Sequence, residues 1–223
     1  MRTFKFKSQT KIAKMKKLLV EFIGSFFLML SFSLCLIPTQ NNLTPLAVGG
    51  MLMALVYSGG HVSGGHFNPA VSLAVFLRGK ISSIELPGYI LVQFAGAAFA
   101  SLVASVFLLQ KGGAGMDLTN VAGQAITVEL LGTFLYCFVV LNVATSRATI
   151  GNSFYGIAIG FVYISCQLIF GKISGAALNP AISLGFGISN ISGFGNIWIY
   201  WVGEILGAIG AAYLFLFING KEQ

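Results

Sequence analysis

Charged side chains are scarce in this sequence: Asp, Glu, Lys and Arg make up only 9 per cent of its 223 residues. Soluble domains are about 25 per cent charged and about 45–50 per cent apolar, whereas 56 per cent of this chain is apolar. The composition excludes an ordinary soluble domain and indicates an integral membrane protein. Cysteine is also rare, and Cys35, Cys137 and Cys166 lie within apolar segments, which favours buried apolar residues over disulfides or metal ligands.

Positive charge is concentrated at the start of the chain, in a tail that we delimit as residues 1–17. Seven of the 13 basic residues lie there: Arg2, Lys5, Lys7, Lys11, Lys14, Lys16 and Lys17. Such a tail ahead of a membrane span is typical of a cytoplasmic anchor on anionic lipid. It carries no nucleic-acid recognition motif, so nucleic acid is not an expected partner. A cleaved signal peptide is the alternative, but the following apolar segment is long enough to span and contains Glu21.

Apolar segments of sufficient length predict six transmembrane helices. A bilayer core of about 30 Å requires about 20 mostly apolar residues per helix, and the segments that qualify are 18–37, 43–60, 86–109, 124–145, 153–171 and 197–218. Two further apolar segments, 68–77 and 179–188, are too short to cross and each begins with Asn-Pro-Ala. Since proline is favoured in the first helical turn, each short segment is predicted to be a half-helix.

The distribution of basic residues predicts the orientation in the membrane. With the N-terminus inside, the inner side carries the seven tail charges together with Arg78, Lys80, Arg147 and Lys221. The outer side carries only Lys111 and Lys172. Both termini are therefore expected in the cytoplasm.

The chain contains an internal repeat. Three stretches of the first half recur in the second: 21–28 as 129–136, 60–72 as 171–183, and 89–97 as 200–208. Each copy, about 18–110 and about 124–218, has three spans and one half-helix, and an odd number of spans inverts the second copy. The sequence thus predicts an all-α integral membrane protein, with six transmembrane helices and two re-entrant half-helices forming a single domain over 18–223. Such inverted repeats place a site near the membrane midplane.

The half-helix N-termini are predicted to meet at this midplane. Each helix N-terminus exposes unpaired N–H groups and carries about half a positive charge, so two of them facing one point repel cations and admit neutral hydrogen-bond acceptors. The predicted pore centre consists of Asn68, Pro69, Ala70, Asn179, Pro180 and Ala181. Helix capping alone is the simpler interpretation of either Asn, but duplication at matching positions of an inverted repeat favours a pore.

The loops Ser63–Ser72 and Ser174–Ser183 resemble the two signature loops of the aquaporin/glycerol-facilitator family, the major intrinsic proteins. The resemblance covers almost everything after the tail. It implies a right-handed six-helix bundle with a pore in every subunit, a homotetramer and passive conduction, with no cofactor and no metal. It also implies that Glu21 and Glu129 support the half-helix loops from within the spans, and that His66 borders the inner vestibule. The short loops suggest a prokaryotic inner membrane.

A second constriction of the family, on the outer side, maps onto Val48, Gln167, Ala176 and Ile182. The family usually has arginine where this chain has Ile182, and its water-selective members commonly add a histidine and an aromatic ring. Three aliphatic side chains and one amide should form a wider and less polar ring. Plant tonoplast-type members look similar here, and they are associated with water plus ammonia or urea.

The sequence therefore predicts a channel for water and small uncharged solutes, namely ammonia, urea and, with less support, glycerol. A strictly water-selective channel and a secondary active transporter remain alternatives, because inverted repeats also occur in transporters. No paired carboxylates, metal-binding cluster or Ser-His dyad lies within the spans, so no catalytic site is expected. Glu204 is a third intramembrane carboxylate, and we expect it to face protein and to be neutral or hydrogen-bonded.

Overall fold

The computed structural model describes residues 2–37, 42–108 and 115–220, with side chains from Lys11 onward. The described residues form eight α-helices: α1 (Arg2–Leu36), α2 (Thr44–Ser63), α3 (Pro69–Leu77), α4 (Leu86–Val103), α5 (Ala122–Thr145), α6 (Tyr155–Ser174), α7 (Pro180–Ile188) and α8 (Ile197–Asn219). Helix α4 continues as a π-helical turn over Ala104–Leu108. Lys111 and Lys221 lie outside the described residues.

Six of these helices are long and apolar enough to cross a membrane, and α3 and α7 are the two short ones. The predicted fold of six spans and two half-helices is confirmed. Helix α1 runs without a break through the basic tail, so the tail and the first span form one continuous helix. Large apolar side chains such as Leu91, Phe99 and Phe217 are exposed along the outside of the bundle, which is the surface that a protein in lipid presents.

The half-helices join the two repeats. In the first repeat α1 packs on α2 and α4, and in the second α5 packs on α6 and α8. Helix α3 of the first repeat packs against α5 and α8 of the second, while α7 packs against α1 and α4 of the first. Each half-helix is therefore enclosed largely by spans of the opposite repeat.

Glycine allows the closest helix crossings. A Cβ added at Gly96 in α4 would lie 2.4 Å from the Phe22 carbonyl oxygen in α1, and one at Gly207 in α8 would lie 2.5 Å from the Leu130 carbonyl oxygen in α5. These positions are equivalent in the two repeats. Helices in membranes associate through such close backbone approach, because lipid provides little hydrophobic drive between them.

We predict that Gly207→Ala destabilises the bundle, because its methyl group would collide with α5 backbone. Overpacking of this kind costs about 1–3 kcal/mol and outweighs the gain of about 1 kcal/mol in helix propensity. Gly50→Ala in α2 is the matched control, since nothing lies within 4 Å of its added Cβ. Thermal unfolding in detergent should show a lower midpoint for Gly207→Ala only; equal midpoints would contradict the packing argument.

Candidate functional site

Asn68 and Asn179 lie where the N-terminal ends of α3 and α7 meet, and both are buried. Each caps its own half-helix: Asn68 Oδ1 accepts from Ala70 N at 2.8 Å, and Asn179 Oδ1 accepts from Ala181 N at 3.0 Å. Each residue has extended backbone, as a capping residue requires. Capping therefore accounts for the amide oxygens, while the amide nitrogens make different bonds.

The two asparagines bind each other's loops reciprocally. Asn68 Nδ2 donates to the Leu178 carbonyl oxygen at 2.8 Å, and Asn179 Nδ2 donates to the Phe67 carbonyl oxygen at 3.0 Å. An amide nitrogen carries two N–H donors, so these bonds leave a second N–H on each side chain. The arrangement fixes two neutral donors next to two helix N-termini.

The residue before each asparagine has a left-handed backbone, with φ of 51° at both Phe67 and Leu178. This conformation is uncommon for residues other than glycine. Here it turns the backbone so that the N–H of each residue meets a buried glutamate while its carbonyl meets the opposite asparagine. Phe67 and Leu178 are thus the residues at which the backbone of the two re-entrant loops changes direction.

Glu21 and Glu129 bind these loops in equivalent ways. Glu21 accepts from the N–H groups of His66 (2.9 Å) and Phe67 (2.6 Å). Glu129 accepts from those of Ala177 (3.0 Å) and Leu178 (2.8 Å). Both carboxylates are fully buried. They provide the acceptors that loop backbone inside a membrane requires.

The glycine three residues after each glutamate leaves room for the same loop. A Cβ at Gly24 would lie 2.0 Å from the Phe67 ring, and one at Gly132 would lie 2.5 Å from Leu178 Cδ2. The repeated Glu-x-x-Gly motif therefore has two roles. The glutamate binds the loop backbone, and the glycine accommodates the side chain of the left-handed residue.

Several supporting residues received no role from sequence. Tyr89 Oη donates to the Ser63 carbonyl oxygen at 2.7 Å, and its repeat equivalent Tyr200 donates to that of Ser174 at 2.6 Å. Gln93 Nε2 donates to Glu21 Oε2 at 2.8 Å. The signal that identifies the tyrosines is their recurrence 111 residues apart, the same spacing that separates the two asparagines.

The four positions that are predicted to form the outer constriction differ in their environment. Val48, Ala176 and Ile182 have no exposed surface and belong to one apolar cluster. These three side chains are therefore packed within the apolar core in this conformation. Gln167 Nε2 donates to the carbonyl oxygens of Gly175, at 3.1 Å, and of Ala176. Both of its N–H donors are thus used by the loop, so its remaining hydrogen-bonding atom is an acceptor.

Met116 lies beside this constriction, although sequence gave no indication of it. A Cβ added at Gly175 would lie 2.9 Å from the Met116 methyl carbon. Two backbone hydrogen bonds hold Met116 in place. Met116 N donates to the Ile191 carbonyl oxygen at 2.9 Å, and Gly193 N donates to the Met116 carbonyl oxygen at 3.3 Å. The connection that precedes α5 therefore contacts the second re-entrant loop.

A cavity of about 640 Å³ opens at the opposite end of the bundle, and His66, Lys17, Lys80 and Glu85 are among its lining residues. His66 Nδ1 lies 3.1 Å from Ser72 Oγ. Lys17 Nζ donates to Glu85 Oε1 at 3.0 Å, and this hydrogen bond holds the pKa of the Glu85 carboxyl below its usual value. Among the described residues no group of three or more His, Cys, Asp or Glu side chains could hold a metal ion.

Six spans, two half-helices and a pair of facing asparagines define a membrane channel built from an inverted repeat. The family model of the major intrinsic proteins matches residues 6–215. Nodulin-26 of Glycine max is 33 per cent identical over 97 per cent of this chain and 82 per cent of its own. Aquaporin NIP1-1 of Zea mays is 36 per cent identical over 92 and 75 per cent, respectively. The chain belongs to the major intrinsic protein family, the aquaporins.

A solved structure supports the fold. The aquaglyceroporin from Plasmodium falciparum superposes with a TM-score of 0.71 at 20 per cent identity, covering 91 per cent of this chain and 95 per cent of that one. Members of the family are passive channels and not enzymes, which confirms that expectation. The expectation of a prokaryotic inner membrane is corrected: the relatives named above are plant proteins and argue against it. Short loops do not distinguish the two origins.

We predict that Glu129→Leu disrupts the second loop, because it leaves the N–H groups of Ala177 and Leu178 without their acceptor. Each unsatisfied buried group costs about 1–3 kcal/mol. Glu129→Gln keeps one carbonyl oxygen as acceptor and should lose less. Thermal unfolding in detergent, with water flux in proteoliposomes, measures both effects. A Glu129→Leu protein as stable and as permeable as the wild type would contradict a supporting role for this carboxylate.

Proposed function

We propose that this chain is a passive pore for water and small uncharged solutes, with ammonia and urea favoured over glycerol, and that it excludes ions. The observation that carries the proposal is the chemistry of the outer constriction. Val48, Ala176 and Ile182 are aliphatic, and the N–H donors of Gln167 are used by loop carbonyls. No fixed charge stands at these four positions.

An acceptor in the constriction favours solutes that donate hydrogen bonds. The arginine usual at the Ile182 position offers donors only, which suit the oxygen of water. Gln167 offers its carbonyl oxygen instead. Ammonia has three N–H donors and one acceptor lone pair, and urea has four N–H donors. Both neutral molecules can therefore donate to Gln167, which they could not do to an arginine.

Ion exclusion is assigned to the pore centre, at Asn68 and Asn179. The N-termini of α3 and α7 each contribute about half a positive charge, and the free amide N–H of each asparagine adds a donor. A water molecule that accepts from both cannot at the same time relay a proton between its neighbours. This barrier does not require the missing arginine.

A strictly water-selective channel is the second candidate, and one observation favours it. Three of the four constriction side chains have no exposed surface, so a larger solute requires them to move. Ile182 and Val48 are packed in the apolar cluster, so their movement requires neighbouring side chains to shift as well. Solute flux distinguishes the two candidates directly.

The orientation and assembly are further parts of the proposal. Lys17 and Lys80 line the same cavity, which supports placing that mouth and both termini in the cytoplasm by the positive-inside rule. The basic residues of the tail would then contact anionic lipid. Aquaporin-family channels typically form tetramers, and a homotetramer would cover part of the exposed apolar surface.

We predict that wild-type proteoliposomes pass water, ammonia and urea, and that Ile182→Arg retains water flux but loses urea flux. Adding a bulky cation should lower urea permeability about tenfold or more, equivalent to about 1.4 kcal/mol on the barrier. Ile182→Val, which stays aliphatic, is the matched control and should resemble the wild type. Stopped-flow light scattering measures all three proteins.

Two outcomes would overturn the proposal. Wild-type protein that passes water alone would identify the strictly selective channel. Saturable flux that protonophores abolish would indicate a secondary transporter, because a channel conducts without a coupling ion.

A further inference from the structure

The second repeat contains a buried carboxylate that the first repeat lacks. Glu204 in α8 is fully buried and lies 111 residues after Gln93, its counterpart in α4. The residue before it packs on Glu129, since a Cβ added at Gly203 would lie 2.9 Å from Glu129 Cβ. Two carboxylates on neighbouring helices therefore face the same re-entrant loop.

Together the two carboxylates bind three successive backbone N–H groups. Glu129 accepts from Ala177 and Leu178, and Glu204 Oε1 accepts from Asn179 N at 2.9 Å. Glu204 thus holds the backbone of a pore-centre residue. In the first repeat Gln93 instead donates its amide N–H groups to Glu21 and to Ser72.

The repeat symmetry favours one direction for this contact. Gln93 Nε2 donates to Ser72 Oγ at 2.9 Å. In the equivalent contact the Ser183 hydroxyl lies 3.3 Å from Glu204 Oε2, where it can donate to an ionised carboxylate or accept from a protonated one. A bond in the same direction requires Glu204 to be the donor, and only a protonated carboxyl group carries a donor hydrogen.

The Ser183 hydroxyl supports this direction, because it has one hydrogen and a shorter contact elsewhere. Ser183 Oγ donates to the Pro180 carbonyl oxygen at 3.1 Å. That carbonyl also accepts from Trp201 Nε1 at 3.2 Å and has two lone pairs for the two donors. While its single hydrogen is used there, Ser183 Oγ can only accept from Glu204.

Charge supports the same conclusion. Neither Glu129 nor Glu204 has an ion-pair partner among the residues that the structure describes. Two adjacent carboxylates without a cation, both out of water, cannot both remain ionised at an acceptable cost. A single proton on the pair removes the repulsion between the two carboxylates. The contact with Ser183 assigns that proton to Glu204.

We infer that Glu204 is a neutral carboxylic acid and a positioning residue, holding Asn179 N–H with Oε1 while its proton binds Ser183 Oγ. An ionised Glu204 would set a negative charge beside the N-terminus of α7 and cancel the half-charge that repels cations there. The neutral form positions Asn179 and preserves that barrier. Only this consequence for conduction rests on the proposed function.

Infrared difference spectroscopy of the reconstituted protein tests the protonation state without reference to transport. The chain has only six Asp and Glu residues, so few carboxyl groups contribute. We expect a carboxylic-acid C=O band that disappears in Glu204→Gln and shifts in Ser183→Ala. Ser174→Ala is the matched control: Ser174 Oγ donates to Glu129 Oε1 at 2.6 Å, so it should leave the band in place.

Absence of the band, or a band that responds to Ser174→Ala as much as to Ser183→Ala, would overturn the inference, since the proton would then be missing or belong to Glu129.

A flux measurement tests the positioning role. Glu204→Leu removes the acceptor of Asn179 N–H and should lower water permeability about tenfold, whereas Glu204→Gln, a neutral acceptor, should restore most of it. Equal fluxes in the two variants would exclude positioning. A channel that fails to pass urea but shows the expected band would contradict the proposed solutes and leave Glu204 as inferred.

Discussion

The structure depends on one requirement of the bilayer, that non-helical backbone must find its hydrogen-bond partners within the protein. Two re-entrant loops violate the usual preference for continuous helices, and both run through the middle of the molecule. Their N–H groups are bound by Glu21, Glu129 and Glu204, and their carbonyl groups by Asn68 and Asn179. The three buried glutamates all serve this need.

The repeat is symmetric in its scaffold and asymmetric in its chemistry. Equivalent glutamates, glycines, tyrosines and asparagines occupy both halves and make equivalent contacts. Around the two loops the copies differ chemically at His66, which lies opposite Ala177, and at Gln93, which lies opposite Glu204. Since a symmetric scaffold treats the two faces of the membrane alike, any chemical difference between the two mouths must come from such substitutions.

The sequence predicted the fold closely because the features that define it are local. The half-helices were expected at 68–77 and 179–188, and the structure has them at Pro69–Leu77 and Pro180–Ile188. Asn-Pro-Ala explains this accuracy, since a capping side chain followed by proline specifies a helix start. The long spans were also found, although α1 extends through the tail because its lysine-rich segment has good helix propensity.

The site was less accessible to sequence reasoning, because its details depend on contacts between distant segments. Residue types at Gln167 and Ile182 predict a wide ring with few polar groups. The burial of Ile182 and the bonds from Gln167 to the loop could not be inferred from spacing. Met116 reaches the second loop from a connection with no repeat counterpart and no motif. Glu204 was recognised as unusual, but its partners Asn179 and Ser183 became known only from the structure.

The reciprocal bonds between the asparagines and the opposite loops bear on how such a protein can be made. Asn68 and its acceptor Leu178 are separated by 110 residues, so the first re-entrant loop leaves the ribosome well before its partner exists. Neither half contains the carbonyl acceptor for its own asparagine, so the first loop lacks this hydrogen bond until the second half has been made. For the same reason a single repeat on its own would lack the acceptor for its asparagine, and it could form this centre only with a second, oppositely oriented copy.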